Sequence, residues 1–485
     1  MISKKLSLIL FLWILIVLGM VGIRRYIMIP KEQARLLRDA MGNKPLADNE
    51  LRKLAQFFVF QDPELTPRDR ELAHWGRKLF FETGLSKNGK ISCATCHKPE
   101  LSFTDGKTTA QGLTQRDRNT PTIINSFSSF WFYWDGRTDS LAAQALNPIE
   151  DEGEQGLTRS ELAFWILNNS RSDYENLFGP FPKILEKALP FKARPLREHP
   201  QVSDGVVRNT MVSADNPKLL SEIGSNELTL SPQQIRQFRQ KLRNQSPQKG
   251  DVLSVNYWRM NREQRFELDR VFSNVGLAFE AFEKGIVARD SAFDQFIRRW
   301  MQSSNPDPRV HFSEKFNFSE FLGFQIFSGK GACHVCHSGP YFKDNQFHNI
   351  GLPQSQAPFD LGRSLGVLTV KKDRFNCQGI FSKDSSRQKS ESCRDLNFLD
   401  SETPEAIGSF KTPTLRNVAE TAPYMRDGRL KTLREVLEHY NKMETHSGVG
   451  FREETLKPLN LSEHEIAALE DFLRSLSSRV EDLNL

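Results

Sequence analysis

Apolar positions recur along most of this chain at the three- and four-residue spacing of amphipathic helices. The predicted helices cover residues 63–81, 266–300 and 318–329, and capping boxes mark further helix starts at Thr158, Thr432 and Ser462. Few segments show the alternation of period two that is typical of strands. The pattern therefore predicts a mainly α-helical protein with long loops.

The N-terminus has a different pattern, an apolar run that no helical periodicity interrupts. Lys4 and Lys5 precede residues 6–23, in which Ser7 is the one polar residue. This length is close to the ~20 residues that span a bilayer, and the run lacks the Ala-x-Ala-like exit of a cleaved signal peptide. We therefore favour a signal anchor or transmembrane helix over residues 1–23, rather than a cleaved signal or a buried core helix. Either targeting signal predicts export, and we expect a periplasmic protein anchored in the inner membrane.

Composition narrows the class of protein. The chain has 485 residues, a net charge of +6 and six cysteines. Six cysteines in so long a chain exclude a small fold built on disulfides, and the mild, dispersed positive charge does not indicate nucleic-acid binding. Residues 181–265 are polar and rich in Pro, Asn, Gln and Ser, which predicts an insertion.

Two short motifs carry the clearest chemistry, Cys93-Ala-Thr-Cys96-His97 and Cys333-His334-Val-Cys336-His337. In each motif two thiols can add to the vinyl groups of one haem, and the adjacent His97 or His337 can bind its iron. A thioredoxin-like pair would need a βαβ context, and a zinc site would need partner Cys or His pairs, and neither is evident. The sequence therefore predicts two covalently bound c-type haems.

Further motifs occur around the two haem motifs: Phe103-Thr-Asp-Gly106, Arg118-Asn-Thr-Pro-Thr122, Trp134-Asp-Gly-Arg137, Thr412-Pro-x-Leu-Arg-Asn417 and Thr421-Ala-Pro-Tyr424. In this order they resemble the bacterial dihaem cytochrome c peroxidase and MauG superfamily. The resemblance covers about residues 65–175 and 266–475. It implies two cytochrome c-like domains and a reaction with hydrogen peroxide.

The resemblance implies that the haem on His97 is the peroxidatic one. Peroxidases of this type often carry a distal histidine where this chain has Gln111, so we expect the first iron to be open to peroxide, as in the MauG-like branch. Pro148 takes the place of the distal proline of the superfamily, and Glu154 aligns with its distal glutamate, with Glu152 as the alternative. A carboxylate in that place can move a proton between the two oxygen atoms of peroxide.

The resemblance also implies roles around the second haem. Trp134 matches a tryptophan that lies between the haems and can pass an electron or a hole. Tyr440 aligns with the sixth iron ligand, which is Tyr in MauG and Met in the peroxidases, and Met443, one turn further on, is the alternative. A phenolate ligand stabilises the ferric iron. Arg426 stands where the superfamily usually has histidine.

Two further expectations remain. Asn119, Thr421 and Pro423 match the calcium position between the haems, and oxygen ligands of this kind suit Ca²⁺. Cys377 and Cys393 are not part of a haem motif, and they could form a disulfide or remain free thiols.

The predicted domains are a membrane helix (1–23), a tether (24–60), a first haem domain (61–180), a polar insertion (181–265) and a second haem domain (266–485). The predicted function is a dihaem peroxidase that draws electrons from a small cytochrome c, a cupredoxin or a side chain of a protein substrate. A conventional cytochrome c peroxidase and a non-catalytic dihaem electron-transfer cytochrome are the alternatives.

Overall fold

The computed structural model describes residues 47–189, 257, 260–354, 359–382, 391–401, 403–443 and 448–482. The predicted membrane helix, most of the tether and most of the insertion lie outside these residues. Within the described ranges, no helix combines the length and the apolar character that a membrane crossing requires.

The described chain is mainly helical, as predicted. The helices are α1 (Asp48–Ala55), α2 (Pro67–Phe81), α3 (Cys93–Cys96), α4 (Leu141–Glu150), α5 (Arg159–Asn169), α6 (Arg171–Phe178), α7 (Lys183–Glu186), α8 (Arg262–Lys284), α9 (Ala292–Gln302), α10 (Phe318–Ser328), α11 (Arg363–Val370), α12 (Glu391–Leu396), α13 (Leu433–Lys442) and α14 (Glu463–Arg474). The strands are β1 (Ile286–Ala288), β2 (Phe347–His348), β3 (Phe410–Lys411) and β4 (Val480–Asp482), which form two antiparallel pairs, β1 with β4 and β2 with β3.

The capping boxes form as predicted at Thr158, Thr432 and Ser462, each of which accepts a hydrogen bond from the backbone amide three residues on. The helix predicted over residues 266–300 is wrong in one respect, because β1 separates α8 from α9. The three buried residues of β1 pair with β4, almost 200 residues later in the chain. A partner so distant leaves no trace in the local hydrophobic pattern.

The first hydrophobic core forms where α2 crosses α8. The backbones approach so closely that a Cβ on Gly76 would lie 1.9 Å from the carbonyl oxygen of Ala278. Phe80 of α2 packs against Phe282 of α8, with ring centroids 5.1 Å apart. Helices α4 and α5 complete this core around α8.

The second core repeats this arrangement where α10 crosses α14. A Cβ on Gly323 would lie 2.0 Å from the carbonyl oxygen of Ala468, so this crossing also requires glycine. Phe58, which follows α1, is fully buried here against the rings of Phe324 and Phe342. The two cores therefore each contain one closely crossed pair of helices.

The predicted domain boundaries do not coincide with the boundaries of the two cores. Helix α8, which we predicted within the second haem domain, packs in the first core, and α1, which we predicted as part of the tether, packs in the second. Residues 181–189, predicted as the start of the insertion, also pack in the first core. An amphipathic pattern shows that a helix has a buried face but does not identify the helix against which it packs.

Buried charges join the two halves. The guanidinium of Arg118 donates two hydrogen bonds to Asp360, at 2.9 and 2.7 Å, and forms an ion pair of 2.9 Å with Asp135. Burial alone would lower the pKa of Arg118, but the two carboxylates outweigh it and keep the guanidinium charged. A disulfide joins Cys377 and Cys393, which settles the alternative that the sequence left open.

Candidate active site

Both Cys-x-x-Cys-His motifs open onto one continuous cavity of about 1210 Å³. Its lining includes Cys96 and His97 from the first motif and Cys333, Cys336 and His337 from the second. Cys93 begins the short helix α3 and packs at the edge of the first core. The cavity exceeds the ~300–1,000 Å³ of ordinary ligand pockets, and it brings together two motifs that lie far apart in the chain.

The two motif histidines are held in the same way. His97 Nδ1 lies 3.1 Å from the carbonyl oxygen of Phe103, and His337 Nδ1 lies 3.0 Å from that of Phe342. Because a carbonyl can only accept, each Nδ1–H donates, and Nε2 remains as the atom that can bind a metal. Burial lowers the pKa of both histidines, so both rings are neutral, as iron ligands must be. Hydrogen bonds of this kind are typical of metal-binding histidines, and the residues therefore fit two c-type haems.

The alternatives for the cysteine motifs find no support in this geometry. Burial, assisted by Glu154, raises the pKa of Cys96 to about 11, whereas a thioredoxin-like thiol has a depressed pKa. Among the described residues, one group brings three potential metal ligands from Cys, His, Asp or Glu side chains together. It consists of Cys336, Asp344 and His348. This group lacks the second cysteine of a structural zinc site.

An internal repeat, which the sequence analysis missed, relates the two halves. Thr120-Pro-Thr122 matches Thr412-Pro-Thr414, and Asp135-Gly-Arg137 matches Asp427-Gly-Arg429. The structure repeats as well, because Asn125 and Asn417 adopt the same left-handed backbone conformation, with φ of 55° and 57°. Each repeat leads into a helix that lines the cavity, α4 in the first half and α13 in the second.

The repeat makes Pro148 and Tyr440 equivalent. Each lies eight residues after the N-cap of its helix, Ser140 or Thr432, and each lines the cavity. Proline offers no atom that can bind iron, whereas the phenol of tyrosine does. The two haem positions therefore differ at the same structural position, and a comparison of residues 120–150 with 412–442 could have found this difference from the sequence alone.

The surroundings of Tyr440 separate it from the alternative ligand. Tyr440 is close enough to Cys336 and Cys333 to interact with them electrostatically, and burial raises its pKa well above the ordinary value. Met443 follows the end of α13 in a left-handed conformation, with φ of 41°, and does not line the cavity. Met425 does line the cavity, next to the Thr-Ala-Pro-Tyr motif.

The acidic loop after α4 presents one of its two candidate carboxylates to the cavity. Glu154 lines the cavity, and its Oε1 lies 3.7 Å from Arg116 Nε. Glu152 is exposed and does not line it. Gln111, which stands at the place of the distal histidine, is also exposed and outside the lining.

Trp134 lies between the two halves of the protein. Its Nε1 donates to the carbonyl oxygen of Asn119 at 3.0 Å, and its own carbonyl oxygen accepts from the backbone amide of Lys411 at 2.8 Å. The predicted calcium residues Asn119, Thr421 and Pro423 line the same cavity. Two oxygen atoms of these residues already form hydrogen bonds: the Asn119 carbonyl accepts from Trp134, and the Thr421 hydroxyl donates to the carbonyl of Val418. Calcium at this position therefore remains a prediction.

Several charged residues of the cavity were not predicted. Glu283, at the end of α8, is 4% exposed, and its Oε2 has no hydrogen-bond partner within the part of the chain that the structure describes. Lys343 and Lys411 line the second half of the cavity. Arg426 stands where the superfamily usually has histidine, and its Cζ lies 4.4 Å from the ring centroid of Phe410. In the repeat, Arg426 corresponds to Trp134. No local sequence signal marks these residues, because only the repeat or the fold places them at the site.

The fold and the two histidine-bearing motifs on one cavity fit a dihaem c-type cytochrome. Residues 70–192 match the family model described as di-haem cytochrome c peroxidase. The chain is 27% identical over 426 residues to cytochrome-c peroxidase IdrP2 of Denitromonas iodatirespirans, covering 87% of this chain and 85% of the relative. It is also 27% identical over 427 residues to methylamine utilization protein MauG of Methylorubrum extorquens, covering 87% and 83%.

Among solved structures, the diheme peroxidase BthA of Burkholderia thailandensis shares the fold, with a TM-score of 0.53 and 17% identity over 86% of this chain and 87% of that chain. These findings confirm the predicted resemblance to the dihaem cytochrome c peroxidase and MauG superfamily.

Proposed function

We propose that this protein reduces hydrogen peroxide at the haem held by His97 and draws electrons through the haem held by His337, in the manner of the MauG-like branch. The observation that carries the proposal is the asymmetry between Pro148 and Tyr440, which occupy equivalent positions on α4 and α13. One site has no side-chain ligand there, and the other has a phenol.

When bound, the two haems supply the iron that binds and splits peroxide and the second redox centre that stores an oxidising equivalent. The protein's own contribution begins with the Nδ1–H bonds of His97 and His337 to the carbonyls of Phe103 and Phe342, which fix both rings. Pro148 would offer the first haem no side-chain ligand at the position where the second half has Tyr440.

Glu154 is the group that we assign to proton transfer. Cleavage of the O–O bond requires a proton on the departing oxygen, and a carboxylate in the cavity can carry it there. Arg116 Nε lies 3.7 Å from Glu154 Oε1, within ion-pair distance, while another nitrogen of its guanidinium donates to Asp151 at 2.8 Å. The position of Glu154 in the lining, and the exposure of Glu152, support this choice.

Trp134 is the group that we assign to electron transfer between the two sites. Its indole is bonded to Asn119 of the first half, and its backbone is bonded to Lys411 of the second. We further propose a periplasmic location, calcium at Asn119, Thr421 and Pro423, and a small cytochrome c, a cupredoxin or a protein side chain as the electron source.

The test is an optical and electron paramagnetic resonance spectrum of the ferric holoprotein, with and without peroxide. We expect one high-spin haem that reacts with peroxide and one low-spin haem. Tyr440→Phe and Tyr440→Met should change the low-spin signal alone, whereas Met443→Leu should not. Pro148→His should convert the high-spin signal to low-spin and abolish the reaction with peroxide.

Two low-spin haems that are inert to peroxide would refute the proposal and favour a non-catalytic cytochrome. A low-spin signal that is unchanged in both Tyr440 variants would exclude Tyr440 as the ligand and favour a conventional cytochrome c peroxidase.

A further inference from the structure

Two lysines line the cavity beside the second haem motif. Lys343 directly follows Phe342, whose carbonyl holds His337, and its side chain is buried, with 7% of the residue exposed. Its Nζ donates to the hydroxyl of Ser129 at 2.6 Å. Lys411 belongs to β3, and its backbone amide is bonded to Trp134.

Neither ammonium forms an ion pair with a carboxylate of the described residues. Among the described residues, no carboxylate oxygen lies within 4 Å of the Nζ of Lys343 or Lys411. The nearby Asp344 is engaged by His348 at 2.7 Å, and the other nitrogen of His348 is engaged by Glu453 at 3.0 Å. The local acids are therefore already paired with a different cation.

Burial is costly for both ammonium groups. It lowers the pKa of Lys343 well below its ordinary value, and the neighbouring Lys411 lowers it further. Burial likewise lowers the pKa of Lys411 to about 8, although Asp344 partly opposes this. Buried charges persist in proteins when an opposite charge and hydrogen bonds compensate their loss of water.

The internal repeat shows that this pair is specific to the second half. Lys343 corresponds to Thr104, since each follows the phenylalanine whose carbonyl holds a motif histidine. Lys411 corresponds to Asn119, since each precedes a Thr-Pro-Thr segment. Both residues of the first half are neutral, and both donate to backbone carbonyls, Thr104 to Leu101 at 2.9 Å and Asn119 to Lys107 at 2.8 Å.

We propose that Lys343 and Lys411 form a carboxylate-binding subsite that takes a propionate of the haem attached through His337. This inference rests on the two-haem reading of the proposed function. Ammonium–carboxylate hydrogen bonds are short and strong, and they would compensate the buried charge of both lysines. Because the backbone amide of Lys411 donates to the carbonyl oxygen of Trp134, a propionate bound here would lie beside the proposed electron path. The same positive charge favours the reduced state of this haem.

The test compares the holoproteins of Lys343→Met, Lys411→Met and the double variant with Lys330→Met. Lys330 lines the same cavity, but its Nζ is already paired with Glu465 at 2.8 and 2.9 Å. Resonance Raman spectra report the propionate bending bands, and spectroelectrochemical titration reports the midpoint potential of each haem. If the methionine variants do not accumulate, Lys411→Gln retains a polar side chain, as Asn119 does in the first half.

We expect both single variants to shift the propionate band and lower the midpoint potential of the haem on His337, with a larger effect in the double variant. The other haem and the Lys330→Met protein should match wild type. Unchanged bands and potentials in the double variant would overturn the inference. If the propionate band does not respond to the lysine variants and the spectrum changes when phosphate replaces chloride, the lysines form a site for a free anion. That result would also overturn the inference.

The lysine effect is read without peroxide. Two haems that are inert to peroxide would therefore refute the proposed function and leave the propionate measurement interpretable.

Discussion

Gly76 and Gly323, at the two helix crossings, should be positions where one added methyl group perturbs one half of the protein and leaves the other half unchanged. In Gly76→Ala the new Cβ meets the Ala278 carbonyl oxygen at 1.9 Å, and in Gly323→Ala it meets that of Ala468 at 2.0 Å. An ordinary contact needs at least 3.4 Å, and a backbone carbonyl within a helix cannot rotate away. Each helix pair must therefore move apart by more than an ångström.

The expected cost follows from two opposing effects. Overpacking of a core costs about 1–3 kcal/mol, and the rigid backbone contact places both variants near the upper end. Alanine in a helix interior recovers ~1 kcal/mol relative to glycine. The net loss is then about 2 kcal/mol, which lowers Tm by roughly 4–8 °C for a domain of 150–250 residues.

The assay is thermal unfolding of the holoprotein, followed at the absorption of each haem. Because α2 and α8 form the first core, Gly76→Ala should alter the high-spin haem, and Gly323→Ala should alter the low-spin haem. Each variant is the control for the other. Wild-type Tm in Gly76→Ala, or an effect of that variant on the low-spin haem alone, would refute the assignment of α8 to the first haem domain.

Three further outcomes are expected. Glu154→Gln should slow the reaction with peroxide by roughly 10²- to 10⁴-fold in stopped-flow experiments, while Glu152→Gln should react like wild type; equal rates in the two variants would contradict the proton-transfer role. Replacing Cys377 and Cys393 with serine should lower the free energy of unfolding in urea by about 3 kcal/mol, because a cross-link over 16 residues restricts the unfolded chain. An unchanged urea midpoint of unfolding would contradict this stabilising role of the disulfide. Burial, with a smaller contribution from a neighbouring carboxylate, raises the pKa of Glu283 from 4.5 to about 8. Because the unfolded chain releases this proton at a lower pH than the folded protein, the free energy of unfolding should fall between pH 4.5 and 8. Glu283→Gln should flatten that part of the plot of unfolding free energy against pH.

The sequence by itself determined the local chemistry of this protein. The two Cys-x-x-Cys-His motifs predict haem attachment because thiol addition and iron binding require that spacing within one short segment. Capping boxes located the starts of α5, α13 and α14, since a helix N-terminus is satisfied by residues three apart. The Trp-Asp-Gly-Arg and Thr-Pro-x-Leu-Arg-Asn motifs were specific enough to indicate the superfamily.

Only the tertiary structure decided which elements share a core and which side chains share the cavity. Helix α8 joins the first core through the close contact at Gly76, and α1 joins the second, although the sequence places each beside the other domain. The tertiary structure also brings Lys343 and Lys411, which lie far apart in the chain, into the lining of one cavity beside the second haem motif. Local patterns report whether a face is buried, whereas the partner of that face depends on packing between distant segments, and such packing exists only in the folded chain.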